Sequence, residues 1–326
     1  MRFHTETSIP EYPFRIDHQS NVLLLGSCFA ENIGARLARY KFRAAQNPLG
    51  IVYNPLSLLH AVRILVGDKR YAENDLHFAN GRHFSYDHHS RYSAASAEET
   101  LANINSQLAA ARKMLPQTNV AFISLGTAFY WWLNAENRVV NNCHKQPAKL
   151  FEQRRASVEE VRSALTETVL LLQRAAPGIQ VVFTISPIRH LKHGSAGNQL
   201  SKATLMVAAQ ELAEGMENVH YFPSYELLLD DLRDYRWYEE DLIHPNKMAI
   251  DYIWEKFCDS LTTAETKVLL PKIDQLRQLL AHRPFDASLS AIEKLDAKIT
   301  GELAKLAPID FRLEYANWAR RNYPPF

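Results

Sequence analysis

The sequence predicts an α/β protein: a parallel sheet covered by helices on both faces. Three observations carry this. The runs NVLLLG, NVAFISLG and IQVVFTIS are apolar nearly throughout, as strands buried on both faces are. Longer helix-periodic segments separate them, the alternation that βαβ units produce. The chemically unusual residues GSC, GTAFY and SPIRH each follow directly after a strand, and in such sheets ligand sites gather at the carboxyl ends of strands.

Residues 21–26 open the pattern as a strand, and 29–40 follow as a helix with Phe29, Ile33 and Leu37 on one face. Asn54-Pro55 starts a second helix, with proline at the favoured first position. Ser96 through Glu99 form a capping-box start for a helix reaching about Met114. After the strand 119–126, residues 129–142 alternate around the polar NAEN and read as an inserted hairpin. Ser157 through Glu160 cap a helix that Pro177-Gly178 stops, and 179–186 is the third buried strand. A helix over 198–215, a short strand at NVHYFP and a helix over 247–258 complete a first domain, 1–262. Residues 263–326 are polar and helix-periodic, with helices expected over 264–282, 287–305 and 309–321, punctuated by Pro284 and Pro308. This extension could pack on the main domain, form a small lobe or mediate a homodimer.

Composition narrows the function classes. Hydrophobic residues make up 47% and charged residues 22% of 326, an ordinary globular balance. A net charge of +1 argues against a nucleic-acid or anionic-membrane surface. The opening MRFHTETSIPEYPFRID has no apolar run, so no secretory signal is expected, and no segment approaches the ~20 apolar residues of a membrane span. Three scattered cysteines with no CxxC pair fit reduced thiols in a cytoplasmic protein and no cysteine-rich zinc site.

Ser27 sits where a strand runs into a helix, near the positive end of the helix dipole, so it could be a nucleophile. It could equally be a plain N-cap. Cys28, beside it, is a rival: cysteine is the better nucleophile at neutral pH, more so at a helix N-terminus. Asp241-Leu-Ile-His244-Pro245 supplies a carboxylate three residues before a histidine, able to hold the imidazole by Nδ1–H and leave the other nitrogen free as a base. The order Ser, Asp, His is one that triads adopt on α/β sheets.

LGSCFAENIG is similar to the hallmark of the GSCFA family. The resemblance continues through NPLGIVYNP, SYDHHSRYS, SLGTAFYW, NNCHKQP, SPIRHLKHG, NQLSKATL and DDLRDYRWYEEDLIHPN, and more loosely at HRPFD. That family resembles a branch of the SGNH hydrolases, esterases and acyl hydrolases, which implies a three-layer α/β/α flavodoxin-like core. The resemblance implies Ser27 as nucleophile, Asp241 and His244 as orienter and base, and the Ser27 and Gly50 N–H groups as oxyanion donors. Cys28 is then expected to point inward. The chain departs from the superfamily at the third block, where Gly126-Thr127-Ala128-Phe129 stands in place of G-x-N-D. Thr127, Asn142 and His144 are the candidate replacements for the missing asparagine donor.

The histidine-rich run 77–89 matches no zinc spacing and is expected to be a polar loop; the family resemblance, which includes DHHS, implies that His89 and Ser90 face substrate. Arg189 could bind a carboxylate or phosphate as a fork, joined by Asn198 and Lys202, although a lysine there also suits a solvated helix face. The expected activity is a metal-independent, cofactor-free serine esterase acting on a small or carbohydrate-linked ester. Acyl transfer to a sugar hydroxyl, or ligand binding without turnover, are the alternatives.

Overall fold

Five strands form the central sheet: β1 (Asn21–Gly26), β2 (Arg43–Gln46), β5 (Val120–Leu125), β9 (Gln180–Ile185) and β10 (Val219–Tyr221). The structure is a computed structural model that describes residues 5–283 and 288–323. The strands lie in the order β2-β1-β5-β9-β10 and every pairing is parallel. Counted within the sheet this is 2-1-3-4-5, the flavodoxin-like doubly wound order, whose direction of winding reverses between β1 and β5.

The side-chain period of two divides the strands between two helical layers. Leu23, Leu25, Ala121, Ile123, Val181 and Phe183 face one layer. That layer holds α2 (Pro55–Val66), α3 (Ala97–Met114), α4 (Val158–Ala175) and α5 (Gly194–Gly215). Val22, Leu24, Val120, Phe122 and Val182 face the other. There lie α1 (Cys28–Arg39) and α7 (Lys247–Leu261), while a short turn, α6 (Ser224–Glu226), follows β10. The expected caps are present: Asn54 accepts from Ser57 N–H, Ser96 from Glu99 N–H, and Ser157 with Glu160 closes a capping box.

Two features depart from the sequence reading. RAAQ forms β2, which no apolar pattern announced, because an edge strand with one neighbour needs no two-faced burial. The inserted hairpin gains a third strand: β6 (Phe129–Leu133) pairs with β7 (Arg138–Val140) and with β8 (Phe151–Arg155). Together with β3 (His77–Ala79) and β4 (Arg82–Phe84) they form a small β lobe around Phe84, Tyr86, Leu133, Val140 and Phe151.

The C-terminal helices are α8 (Ala264–Ala281), α9 (Leu289–Lys305) and α10 (Arg312–Asn322). Pro284 and the start of the second expected helix lie outside the described residues. Ile273, Leu276, Ile299, Phe311 and the fully buried Trp318 belong to the same apolar cluster as α1 and α7. Asp274 takes hydrogen bonds from Arg39 at 2.8 Å and from the Tyr40 hydroxyl at 2.5 Å, and Lys41 pairs with Glu314. Among the described residues no helix is long and apolar enough to cross a membrane.

Trp318→Ala removes one of the largest fully buried side chains, and about 3–5 kcal/mol of stability should go with it. Urea unfolding followed by far-UV circular dichroism should give one transition at a lower midpoint. A separate early transition, with the remainder unfolding as before, would contradict a shared core.

Candidate active site at the carboxyl edge of the sheet

At the end of β1, Gly26 has φ +116°, and a Cβ there would lie 2.0 Å from the Ser124 carbonyl oxygen. Only glycine permits this approach of β1 to β5. Beyond it, Ser27 donates its N–H to Ser124 O at 2.9 Å, and the Ser27 and Ser124 hydroxyls are hydrogen-bonded at 2.8 Å. Ser27 Oγ also accepts from Phe29 N–H at 3.2 Å, so Ser27 is the N-cap of α1 and is only 1% exposed. Cys28 is the first helical residue and is half-buried. Its sulfur is 3.4 Å from the Tyr53 hydroxyl, and its N–H has no hydrogen-bond partner among the described residues. The sequence reading turned Cys28 inward and Ser27 outward. With α1 starting at 28, the cap geometry draws the serine oxygen back onto the helix, while Cys28 stays half-buried and packs against the apolar cluster of α1 and α7.

The NPLG turn braces this junction. Asn47 Oδ1 accepts from Gly26 N–H at 2.8 Å, and Val52 N–H donates to Gly26 O at 3.1 Å. Gly50, at φ +93°, packs so closely on His89 that a Cβ would meet the His89 Cβ at 2.1 Å. Its N–H, expected at an oxyanion, is spent on Asn47 O at 2.7 Å, just as that of Ser27 is spent on Ser124. His89 is half-buried, and burial followed by the Arg91 charge pushes its pKa down. Ser90 is exposed. Arg91 itself ties to Glu31 of α1 at 2.7 Å.

The expected stand-ins for the third-block asparagine are held elsewhere. The Thr127 hydroxyl bonds Ser201 Oγ at 3.0 Å, and Ala128 N–H also donates to Ser201 at 2.7 Å. Asn142 Oδ1 accepts from His144 N–H at 2.8 Å. The His144 ring stacks on Phe84 in the small lobe, with Nε2 at 2.9 Å from Ser85 O and 3.0 Å from His88 O. Burial lowers the His144 pKa to about 4.

On the opposite rim, Asp241 Oδ2 meets His244 Nδ1 at 2.6 Å, while Oδ1 accepts from the N–H groups of Ile243 and His244 at 2.9 Å each. The His244 N–H, then its ring, then the Ile243 N–H hold the Asp241 carboxyl down at about 2. Both side chains are nearly half exposed, and His244 Nε2 has no partner among the described residues. No hydrogen bond joins Ser27 to His244: the serine oxygen is occupied at Ser124 and Phe29.

Between the two rims stand residues that the sequence reading left in the background. His190 meets the Tyr53 ring edge-on at 5.7 Å, and its Nε2 is buried without a partner. Burial, then the charges of Lys202 and His244, depress the His190 pKa to about 3. Lys202 is not on a solvated face: it is 1% exposed and donates to Gly126 O and Ser186 O at 2.7 Å each, tying β5 to β9. Burial lowers its pKa to about 7. Tyr53 O accepts the N–H groups of Gly126 and Thr127 at 2.8 and 2.9 Å. Its place before the Asn54 cap, and that of His190 within SPIRH, were the available signals.

Arg189 donates its backbone N–H to Ile243 O and a guanidinium N–H to Leu242 O, both at 3.2 Å. Asn198 Oδ1 holds His190 N–H at 2.8 Å. Arg189 and Asn198 line a cleft of about 290 Å³. In the histidine-rich run, Asp87 is buried and bonded to His60, Tyr71 and Arg138, and holds the lobe against α2. Among the described residues, no cluster of three or more His, Cys, Asp or Glu is arranged to hold a metal ion.

Residues 21–257 match the GSCFA family. The chain belongs to that family. This GSCFA protein is also similar to the solved structure of an acetyl xylan esterase from the rumen bacterium Butyrivibrio proteoclasticus, at 11% identity and a TM-score of 0.38. The match covers 75% of this chain and 64% of that one, so it spans less than two thirds of the esterase's length. No curated protein matches the GSCFA protein in sequence.

His88 gives the protein a measurable pH response. It is 1% exposed, both ring nitrogens are buried without partners, and burial lowers its pKa from 6.5 to about 4. Below pH 6.5 the unfolded chain takes up this proton while the folded protein resists it down to about 4. Stability therefore falls as pH drops through that window, by up to about 3 kcal/mol from this group. Urea unfolding at pH 7.5 and 4.5 should reveal the loss, and His88→Leu should remove part of it, the rest belonging to His144 and His190, whose pKa values burial also lowers. An unchanged slope in the variant would refute the assignment.

Proposed function

We propose that the protein is an acyl hydrolase acting on esters. Its catalytic groups are Cys28 as nucleophile, His244 as general base and Asp241 as the carboxylate that orients the base. The observation that carries the reading is the Asp241–His244 pair: a 2.6 Å hydrogen bond fixes one ring nitrogen and leaves Nε2 without a partner. That is the arrangement a base needs in nucleophilic catalysis. Cys28 is supported by its incomplete burial and its unpaired N–H at the start of α1, next to the switch between β1 and β5.

Each step follows from these groups. His244 Nε2 takes the thiol proton as the sulfur adds to the ester carbonyl. Negative charge develops on the carbonyl oxygen, for which the Cys28 N–H and the Tyr53 hydroxyl, 3.4 Å from the sulfur, are the proposed donors. Burial first, then the neighbouring Cys28, raises the Tyr53 pKa, so that hydroxyl stays protonated and able to donate. Collapse expels the alcohol, which leaves with the proton from His244. Water, deprotonated by the same nitrogen, then opens the thioester and releases the acid. His190, kept neutral by burial, sets no positive charge against the imidazolium that forms on His244.

A second reading keeps Ser27 as the nucleophile. One observation favours it: its hydroxyl is held by neutral partners, the Ser124 hydroxyl and the Phe29 N–H. Exchanging such bonds costs roughly 1 kcal/mol each, within reach of a rotamer change on substrate binding.

Kinetics on p-nitrophenyl acetate should separate these readings. Cys28→Ala should lose about 10³-fold or more in kcat/KM and Asp241→Asn at least about 10²-fold, with iodoacetamide blocking the wild type. Ser27→Ala should keep most activity while losing about 1 kcal/mol as a missing cap. The reverse pattern, with fluorophosphonate labelling lost in Ser27→Ala, would select the serine. Product formed only when a sugar hydroxyl is supplied would make the reaction acyl transfer. No turnover and no labelling of the folded protein would refute both.

A further inference from the structure

Beside the Asp241–His244 turn lies the cleft that Arg189 and Asn198 border. Its wall is apolar, made by Tyr225, Leu228, Leu229 and Leu232, and Tyr235 stands 63% exposed at its rim. The other charges at this cleft are already neutralised: Arg233 is paired with Asp230, and Asp234 with Arg236 at 2.9 Å. Arg189 has no carboxylate partner among the described residues; its one side-chain hydrogen bond goes to Leu242 O. The guanidinium is nonetheless fixed, with its carbon 5.8 Å from the ring centres of both Tyr235 and Tyr238. Asn198 adds a second donor: its Oδ1 is committed to His190 N–H, and its amide NH₂ has no partner among the described residues.

We propose that this cleft binds the anionic part of the substrate. The substrate is then an ester whose acyl or alcohol portion carries a carboxylate or phosphate on a short hydrocarbon body. This rests on the hydrolase reading for the chemistry, though not for the binding. A guanidinium with free N–H groups, preorganised by two aromatic rings over an apolar wall, matches an anion with a hydrocarbon tail. The hydrocarbon lies along the leucines, the anion meets Arg189 and the Asn198 amide, and the ester is directed toward the adjoining His244.

Calorimetric titration of the full chain with hexanoate, monohexyl phosphate and hexanol tests this. At least one anion should bind about tenfold or more tightly than hexanol, and the stronger of the two names the head group. Arg189→Gln should remove that preference and leave hexanol binding unchanged, while Arg189→Lys should restore part of it. Retained melting temperatures would show that both variants fold. Equal binding of hexanol and both anions, or an undiminished preference in Arg189→Gln, would overturn the proposal. Repeating the titration on Cys28→Ala separates the two ideas: anion binding without esterase activity in any form leaves the cleft standing and removes the hydrolase. Hydrolysis with equal kcat/KM for p-nitrophenyl butyrate and its succinate-monoester counterpart removes the cleft and leaves the hydrolase.

Discussion

The candidate site depends on how closely β1 approaches β5 at Gly26 and Ser124. A glycine in the left-handed region brings the two backbones together where any side chain would strike the Ser124 carbonyl. From that contact the rest follows. Ser27 is pinned to Ser124 by its N–H and its hydroxyl, α1 must begin at the next residue, and Cys28 takes the first helical position. The Asn47 amide, closing on Gly26 from the neighbouring loop, locks the same turn from the other side. This is the point where the winding of the sheet reverses, which leaves a crevice between the loops that diverge from it.

A second constraint stabilises the wall of the crevice. Lys202 extends from α5 into the interior and satisfies two carbonyls, one after β5 and one after β9. Burying an ammonium is costly, and such groups persist where hydrogen bonds offset the cost. Here the carbonyls of Gly126 and Ser186 are the partners, and the strand ends they belong to carry the loops that hold Thr127 and His190. The same buried charge helps keep His190 neutral. One side chain thus ties two strand ends together and adds to the burial that keeps the His190 ring neutral.

The three central strands were legible because a strand covered on both faces must be apolar on both. The caps Asn54, Ser96 and Ser157 were legible because side chain and helix start are neighbours in the chain. β2 was hidden because an edge strand carries no such requirement. Which residue caps α1 was left open for a finer reason. A shift of one residue in where α1 begins changes whether Ser27 or Cys28 is the cap, and sequence places helix ends no better than that. The interior place of Lys202 was hidden because its partners lie 76 and 16 positions away. The Asp241–His244 contact was legible because three residues of a turn span it.

The grip on the far end of α1 reaches further than packing. Arg39, Tyr40 and Lys41 are held by Asp274 and Glu314, so the last turn of the helix is moored to α8 and α10 while its first residue is set by Gly26. A rod fastened at both ends cannot tilt without releasing one of them. The C-terminal helices line none of the cleft beside His244, yet by fixing the axis of α1 they fix the direction along which the positive end of its dipole meets Cys28. In that sense the extension sets the line of sight of a helix whose first residue lies at the far end of the molecule's sheet edge.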